Sequence, residues 1–221
     1  KLQKEFEKQN LNTRRLLAVA AVKGTKMYGL KQNPDWGAYM SKASDAYDKQ
    51  RDERHKTKRE KDRWPTKGYD SLKIAADKMK KDVSKYFTKD KLSVKDLYAL
   101  QKYVVLKLYS EHALRLDWAD VKLKKTDDKD KNFLFKYPRK GWILTMRKYK
   151  TSKFMGEQEI KISRAASLAL SSFVPQVKKT TSHGYLLSTL QGNKLSRSGL
   201  SKILIRLTEK HLGSKIGAQI I

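Results

Sequence analysis

The chain has no cysteine among its 221 residues, which excludes disulfides and thiolate metal sites. Its four histidines lie far apart in the sequence and have no metal-ligand spacing, so we predict neither a metal nor another cofactor. No apolar run approaches the ~20 residues that cross a bilayer, and no signal peptide is visible. These absences argue against a disulfide-linked, a metal-dependent and a membrane-spanning protein.

Acidic residues are also scarce relative to basic ones. The chain has 51 Lys and Arg against 23 Asp and Glu, which gives a net charge of +28. Such an excess must meet a polyanion or repel itself. DNA or RNA is the natural partner, because neutralised phosphates release their counterions. A membrane surface is disfavoured, because the basic residues are spread along the chain and not gathered on one amphipathic helix.

The spacing of apolar residues predicts a mostly helical α+β protein. The predicted helices cover residues 13–28 (with Asn12 and Thr13 as candidate caps), a segment from about 35, then 69–86, 94–110, 163–174 and 199–212. Ser214 is a candidate start of one more helix. Three short segments, 133–135, 142–146 and 160–162, predict a small three-stranded antiparallel sheet between the helices.

A domain boundary is predicted at Trp64-Pro65-Thr66, because proline cannot continue a helix interior. Residues 1–63 then form one domain and residues 64–221 a second. Residues 49–63 alternate in charge and have almost no apolar side chain. This stretch predicts a solvated helical connector, which is compatible with a linker that tracks a DNA backbone.

The clearest motif lies where the helix at 94–110 runs into Leu-Arg-x-Asp-Trp-x-Asp-Val, with Arg115 as its arginine. A lone arginine after a helix is more often a surface or ion-pair residue. Here its apolar neighbours predict partial burial, and a buried arginine needs an anionic partner. Asp117, Asp120 or a phosphate are the candidates. A guanidinium offers two parallel donors that fit a phosphodiester.

A second motif is the basic connection Arg147-Lys148-Tyr149-Lys150-Thr151-Ser152-Lys153 between two predicted strands. Lysines at such a tip are ordinarily just solvated. The functional interpretation is that Lys150 reaches into a DNA groove and protonates a leaving oxygen. Further candidate DNA contacts lie in this connection and at the start of the helix at 199–212: Arg147, Lys148, Thr151, Lys153, Arg197 and Ser198.

The arginine motif, the lysine connection and the serine-capped helix before Gly213-Ser-Lys-Ile-Gly217 together resemble tyrosine recombinases. The resemblance covers residues 64–221 and is best to the integrases of DNA viruses and large self-synthesising transposons. It implies a catalytic domain at 64–221, preceded by the end of a helical core-binding domain at 1–63. Arg115 would stabilise the non-bridging oxygens of the scissile phosphate, and Lys150 would protonate the leaving 5′-oxygen.

The resemblance also implies double-stranded DNA as the partner, a 3′-phosphotyrosyl intermediate and a tetramer on DNA, with no metal or cofactor. It implies an intracellular location, in a nucleus, a cytoplasmic viral factory or a virion. It places a second arginine box and the nucleophilic tyrosine beyond Ile221, so the chain is expected to bind DNA without cutting it and to be a monomer without DNA. Two departures are His112-Ala113, where many relatives have Gly or Pro, and the absence of a His-x-x-Arg box, since His55 and Arg59 lack that spacing.

Three alternatives remain open at the level of the sequence. A non-catalytic DNA-binding or packaging protein derived from a recombinase would have the same charge. A type IB topoisomerase shares the catalytic chemistry and would relax DNA without strand exchange. An RNA-binding or ribosome-associated protein would explain the charge, but not an arginine motif followed by a lysine hairpin.

Overall fold

The computed structural model of the protein describes residues 2–31, 33–53, 58–64 and 68–218, with only the backbone at 58–60. The chain divides into two compact units, Lys1–Lys61 and Asp62–Ile221. Helix α4 (Lys58–Arg63) spans this division. Pro65 and Thr66 of the predicted boundary, and residues 54–57 of the predicted connector, lie outside the described residues.

The first unit contains α1 (Leu2–Glu7), α2 (Leu11–Met27) and α3 (Pro34–Asp52). Helix α2 begins two residues before the predicted start, because Asn10 and not Asn12 or Thr13 caps it, with 3.0 Å from the Thr13 N–H to Asn10 Oδ1. Asn33 caps α3 in the same way. Helices α2 and α3 pack on each other and bury only Ala18 and Ala43 among the described residues.

The second unit has its core around α6 (Val94–Glu111), which packs against α5 (Tyr69–Val83). The apolar residues that repeat at helical spacing along α5 are all buried: Leu72, Ala75, Ala76, Met79 and Val83. Helix α6 is buried on almost every side, which is typical of a central core helix. No helix in the described ranges is both long and apolar enough to cross a membrane.

The sheet has four strands in the order β1 (Val121–Lys122), β2 (Asn132–Tyr137), β3 (Gly141–Met146) and β4 (Gln158–Lys161). Strands β2, β3 and β4 are antiparallel neighbours, but β1 pairs parallel with β2. The predicted three-stranded antiparallel sheet is therefore wrong in detail, and the sheet is mixed. The sequence did not predict β1, because two residues are too few to show the alternating pattern of a strand. Strand β1 is extended because backbone hydrogen bonds hold both of its edges, including one from the Leu186 N–H to Val121 O at 2.9 Å.

The short helix α7 (Ser152–Met155) lies between β3 and β4, and α8 (Arg164–Thr180) and α9 (Arg197–Leu212) follow the sheet. Both long helices pack on α6. Helix α8 continues six residues past its predicted end and includes Pro175. Its last turn is held by tertiary contacts, since Gln176 accepts the buried Leu92 N–H at 3.1 Å and donates to Lys89 O at 2.8 Å.

Ser196 caps α9, with 3.0 Å between the Gly199 N–H and Ser196 Oγ, and Gly213 in the left-handed region (φ 70°) ends it. The candidate helix at Ser214 does not form within the described residues, which reach 218. The chain instead folds back on α9, because Thr208 Oγ1 accepts the Ile216 N–H and donates to Ile216 O, at 3.0 and 3.1 Å.

Candidate nucleic-acid interface

The backbone around Arg115 is held in place by two side-chain hydrogen bonds after α6 ends at Glu111. The Tyr109 hydroxyl donates to the carbonyl oxygen of Arg115. Trp118 lies in the core and its indole N–H is 3.4 Å from His112 O. The segment is partly buried, as expected, but the Arg115 side chain itself is exposed. The apolar residues of the motif turn inward to the core, and the arginine between them points outward.

His112, where the resemblance leads one to expect Gly or Pro, links this segment to the start of α8. Its Nε2 accepts the Ser163 backbone N–H at 2.9 Å, which requires the ring to be unprotonated at that nitrogen. Burial lowers the pKa of His112, and Glu111 only partly opposes this. We therefore assign His112 a structural role, as a neutral acceptor that positions the arginine segment.

Asp117 and Asp120, the predicted partners of Arg115, bind other cations. Both belong to the 3-10 turn Asp117–Asp120 that precedes β1. Arg197, the first residue of α9, donates from Nη2 to Asp117 Oδ1 at 2.8 Å and from Nε to Asp120 Oδ2 at 2.6 Å. Lys194 Nζ lies 2.7 Å from Asp120 Oδ1. Arg197, predicted as a DNA contact, is thus held in ion pairs with its side chain half exposed.

The two aspartates differ in their protonation behaviour. Burial raises the pKa of Asp117, which is 7% exposed, and Arg197 offsets this only in part. Burial also acts to raise the pKa of Asp120, but hydrogen bonds from Lys194 and Arg197 outweigh it, so that this pKa is lowered. The Arg197 guanidinium is therefore the main group that opposes the effect of burial on the pKa of Asp117.

Arg197→Ala is expected to destabilise the protein by about 1 kcal/mol at neutral pH, a modest value because the arginine is half exposed. Without Arg197 the pKa of both carboxyls rises. A carboxyl whose pKa is raised in the folded state makes the protein less stable as pH rises through its titration. The stability difference between Arg197→Ala and the wild type should therefore vanish at acid pH, where both carboxyls are protonated. Urea unfolding at the two pH values measures this. Arg206→Ala, an exposed site on the same helix, is the control and should show no such pH dependence.

A cleft of about 670 Å³ lies between the 3-10 turn, the start of β2, the connection after β3 and the start of α9. Six cationic residues and three aspartates line it, together with Asn132, Tyr149 and Tyr185: Arg115, Lys131, Lys148, Lys150, Lys194, Arg197, Asp117, Asp120 and Asp130. A second cleft of about 240 Å³ is also lined by Arg115 and Lys150, and by Thr151. The structure thus brings Arg115, Lys148, Lys150 and Arg197 together.

Three of the predicted contact residues line neither cleft. The Arg147 side chain binds elsewhere: its Nη1 donates to Thr126 O at 2.7 Å and its guanidinium covers the Phe133 ring. Ser198 Oγ lies 3.0 Å from Ser196 Oγ at the cap of α9. Lys153 is exposed on α7. These side chains do not join the group around Arg115.

Asn132 is a positioning residue that the sequence reasoning missed. It is 2% exposed, and its Oδ1 accepts the backbone N–H groups of Arg147 and Lys148, both at 2.8 Å. Its Nδ2 donates to Lys148 O at 2.9 Å. These three bonds set the direction in which the chain leaves β3 towards Lys150. An asparagine at the start of a strand is unfavourable for strand formation, which was the one available signal.

Lys194 and Tyr185 are further cleft residues that the sequence reasoning did not single out. Lys194 Nζ lies 4.4 Å from the centre of the Tyr185 ring, and Lys122 Nζ lies 5.9 Å from it. The Tyr185 backbone is fixed by a bond from its N–H to His183 Nδ1 at 2.9 Å. The Tyr185 ring therefore lies close to two ammonium groups, and of these two lysines Lys194 lines the cleft.

Comparison of the chain with protein-family models, with curated proteins and with solved structures gives no match in any of the three. Within the described ranges, no group of three or more His, Asp or Glu residues can hold a metal ion. The interpretation of the cleft accordingly depends on its own residues and on the motifs of the sequence.

Proposed function

We propose that the protein binds duplex DNA with a backbone phosphate at Arg115 and Lys150, and that it supplies the catalytic domain of a tyrosine recombinase. One observation carries this proposal: Arg115 is exposed on a fixed backbone beside Lys150, in a cleft with an excess of three positive charges. The nearby aspartates bind Arg197 and Lys194, so within the described residues Arg115 forms no ion pair. An arginine held in this way is ready to bind a phosphate.

The chemistry follows from the positions of these two groups. Arg115 binds two non-bridging oxygens and stabilises the charge that develops on them as the oxygen of a tyrosine, whose hydroxyl proton passes to solvent, attacks phosphorus. The bond from phosphorus to the 5′-oxygen breaks, and Lys150 transfers its proton to that oxygen. The reverse reaction rejoins the strand, because the phosphotyrosyl bond retains the energy of the phosphodiester. Arg197 and Lys194, held by Asp117 and Asp120, border the path of the DNA backbone.

A second candidate function is a DNA-binding protein that uses the same cleft without cutting. The two tyrosines of the cleft favour this function, because both are engaged in contacts within the protein. The Tyr149 hydroxyl donates to Gly156 O at 2.7 Å, and the Tyr185 ring contacts two lysines. We assign neither as a nucleophile. Formation of a covalent protein–DNA complex by the full product of the reading frame would separate the recombinase from the binder.

Duplex binding is expected to weaken steeply as the salt concentration rises. The slope of log affinity against log salt concentration reports how many phosphates the cleft residues contact. Removing both charges in Arg115→Ala/Lys150→Ala should reduce the magnitude of that slope by about 2, since each phosphate contact contributes ~0.9. Fluorescence anisotropy with a short labelled duplex at several salt concentrations measures it.

The control is Arg164→Ala/Lys178→Ala, which removes two exposed charges from α8 that line neither cleft. An equal loss of slope in both double variants would mean that the cleft has no special part in binding. Duplex RNA of the same sequence is the competitor. Stronger competition by the RNA than by the DNA would favour the RNA-binding alternative.

A further inference from the structure

The connection between β3 and β4 ends in two exposed apolar side chains. Phe154 is 90% exposed and Met155 is 61% exposed, both on α7. Single exposed apolar residues are ordinary on protein surfaces. Phe154 is more exposed than any other large hydrophobic residue among those described, and it is adjacent to a second one. Such a pair at the tip of a projection is an apolar contact surface that this unit leaves uncovered.

Hydrogen bonds hold both ends of this connection in place. Asn132 fixes its first residues through three hydrogen bonds to Arg147 and Lys148. The Tyr149 hydroxyl closes it by donating to Gly156 O, and the Gly156 N–H bonds to Ser152 O at 2.9 Å. Gly156 takes the left-handed conformation (φ 66°) that this closure requires. Phe154 is therefore held outward by a closed loop.

The surroundings of Phe154 are cationic. Lys148, Lys150 and Lys153 of the same connection are exposed, and the first two line the cleft with Arg115. Glu157, the acidic residue of the connection, is bound by Arg147. Lysine is depleted in the core of protein–protein interfaces, which disfavours a protein partner for this tip. An aromatic side chain among lysines is complementary to nucleic acid. The lysines can bind the phosphates of the backbone, and the aromatic ring can stack on the apolar face of a base.

We propose that Phe154, supported by Met155, inserts as a wedge against a base step of the duplex whose backbone lies in the cleft. The proposal rests on the DNA-binding function proposed above. Apolar side chains inserted in this way unstack the step and kink the duplex. The cost is smallest where stacking is already interrupted, so the wedge predicts a preference for duplex DNA with a one-nucleotide gap. It needs no particular base, because every base has a face on which an aromatic ring can stack.

The test compares the affinity of an intact and a gapped duplex, and measures bending by energy transfer between dyes at the duplex ends. The wild type should prefer the gapped duplex by roughly tenfold. Phe154→Ala should lose this preference and the bend, while its salt slope stays unchanged because no charge is removed. Phe154→Trp should retain both. Leu168→Ala, which removes an exposed apolar side chain from α8, is the matched control and should behave as the wild type.

The possible outcomes separate the wedge from the function on which it rests. If Phe154→Ala keeps the preference and the bend, the wedge is wrong and duplex binding stands. If the wild type binds neither duplex, both proposals fail. Vesicles of phosphatidylcholine and phosphatidylserine provide a third comparison. Vesicle binding that is lost in Phe154→Ala, together with unchanged DNA bending, would overturn the wedge in favour of a membrane surface.

Discussion

Under the proposed recombinase function, Arg115→Ala is expected to reduce strand cleavage by about 10²–10³-fold, the usual effect of removing one donor to a developing oxyanion. Duplex affinity should fall by only a few fold, since one phosphate contact among several is lost. The measurement is the rate of covalent complex formation on a nicked substrate that traps the phosphotyrosyl product. Arg164→Ala removes an exposed arginine outside both clefts and should cleave normally.

A substrate with a better leaving group distinguishes the role of Arg115 from that of Lys150. Sulfur in place of the bridging 5′-oxygen leaves without protonation, so it should restore cleavage to Lys150→Ala and not to Arg115→Ala. Wild-type cleavage by Arg115→Ala on the ordinary substrate would remove the recombinase assignment. Lack of rescue of Lys150→Ala would show that this lysine is not the acid.

Asn132→Ala is expected to have the largest effect on stability of the substitutions at the candidate site. It leaves two backbone N–H groups and one carbonyl without their partner at a buried position. Each such group costs ~1–3 kcal/mol unless water reaches it, so a loss of about 3 kcal/mol is expected from partial relaxation. Urea unfolding measures the loss. Asn193→Ala, at an exposed loop position, should change stability by less than about 0.5 kcal/mol.

Asn132→Asp refines this test, because it keeps the oxygen that accepts both backbone N–H groups and removes only the donor to Lys148 O. Its buried carboxyl should have a folded pKa above the unfolded value, so stability should fall as pH rises through its titration. At acid pH the protonated carboxyl can donate to Lys148 O again. Equal stability of Asn132→Ala and Asn193→Ala would mean that Asn132 does not hold the connection.

The helices of the second unit were predictable because their information is local. The stripe of α5 repeats at helical spacing, and all five of its predicted members are buried. Ser93, directly before the apolar run, caps α6 with 3.1 Å from the Asp96 N–H to Ser93 Oγ. The end of α8 was predicted wrongly, because Pro175 is a strong local stop signal and the contacts of Gln176 that override it come from residues 84 or more positions away.

The sequence alone determined the net charge of +28, the mostly helical α+β class, and the two motifs that contain Arg115 and Lys150. Tertiary structure alone decided which charges are paired there. Arg197 reaches Asp117 across 80 positions and Lys194 reaches Asp120 across 74, so Arg115 is left exposed to solvent. Tertiary structure alone also decided that β1 forms and that Asn132 binds residues 15 and 16 positions away. Local patterns record propensity and periodicity, whereas these contacts depend on which distant segments the packed core brings within hydrogen-bond distance.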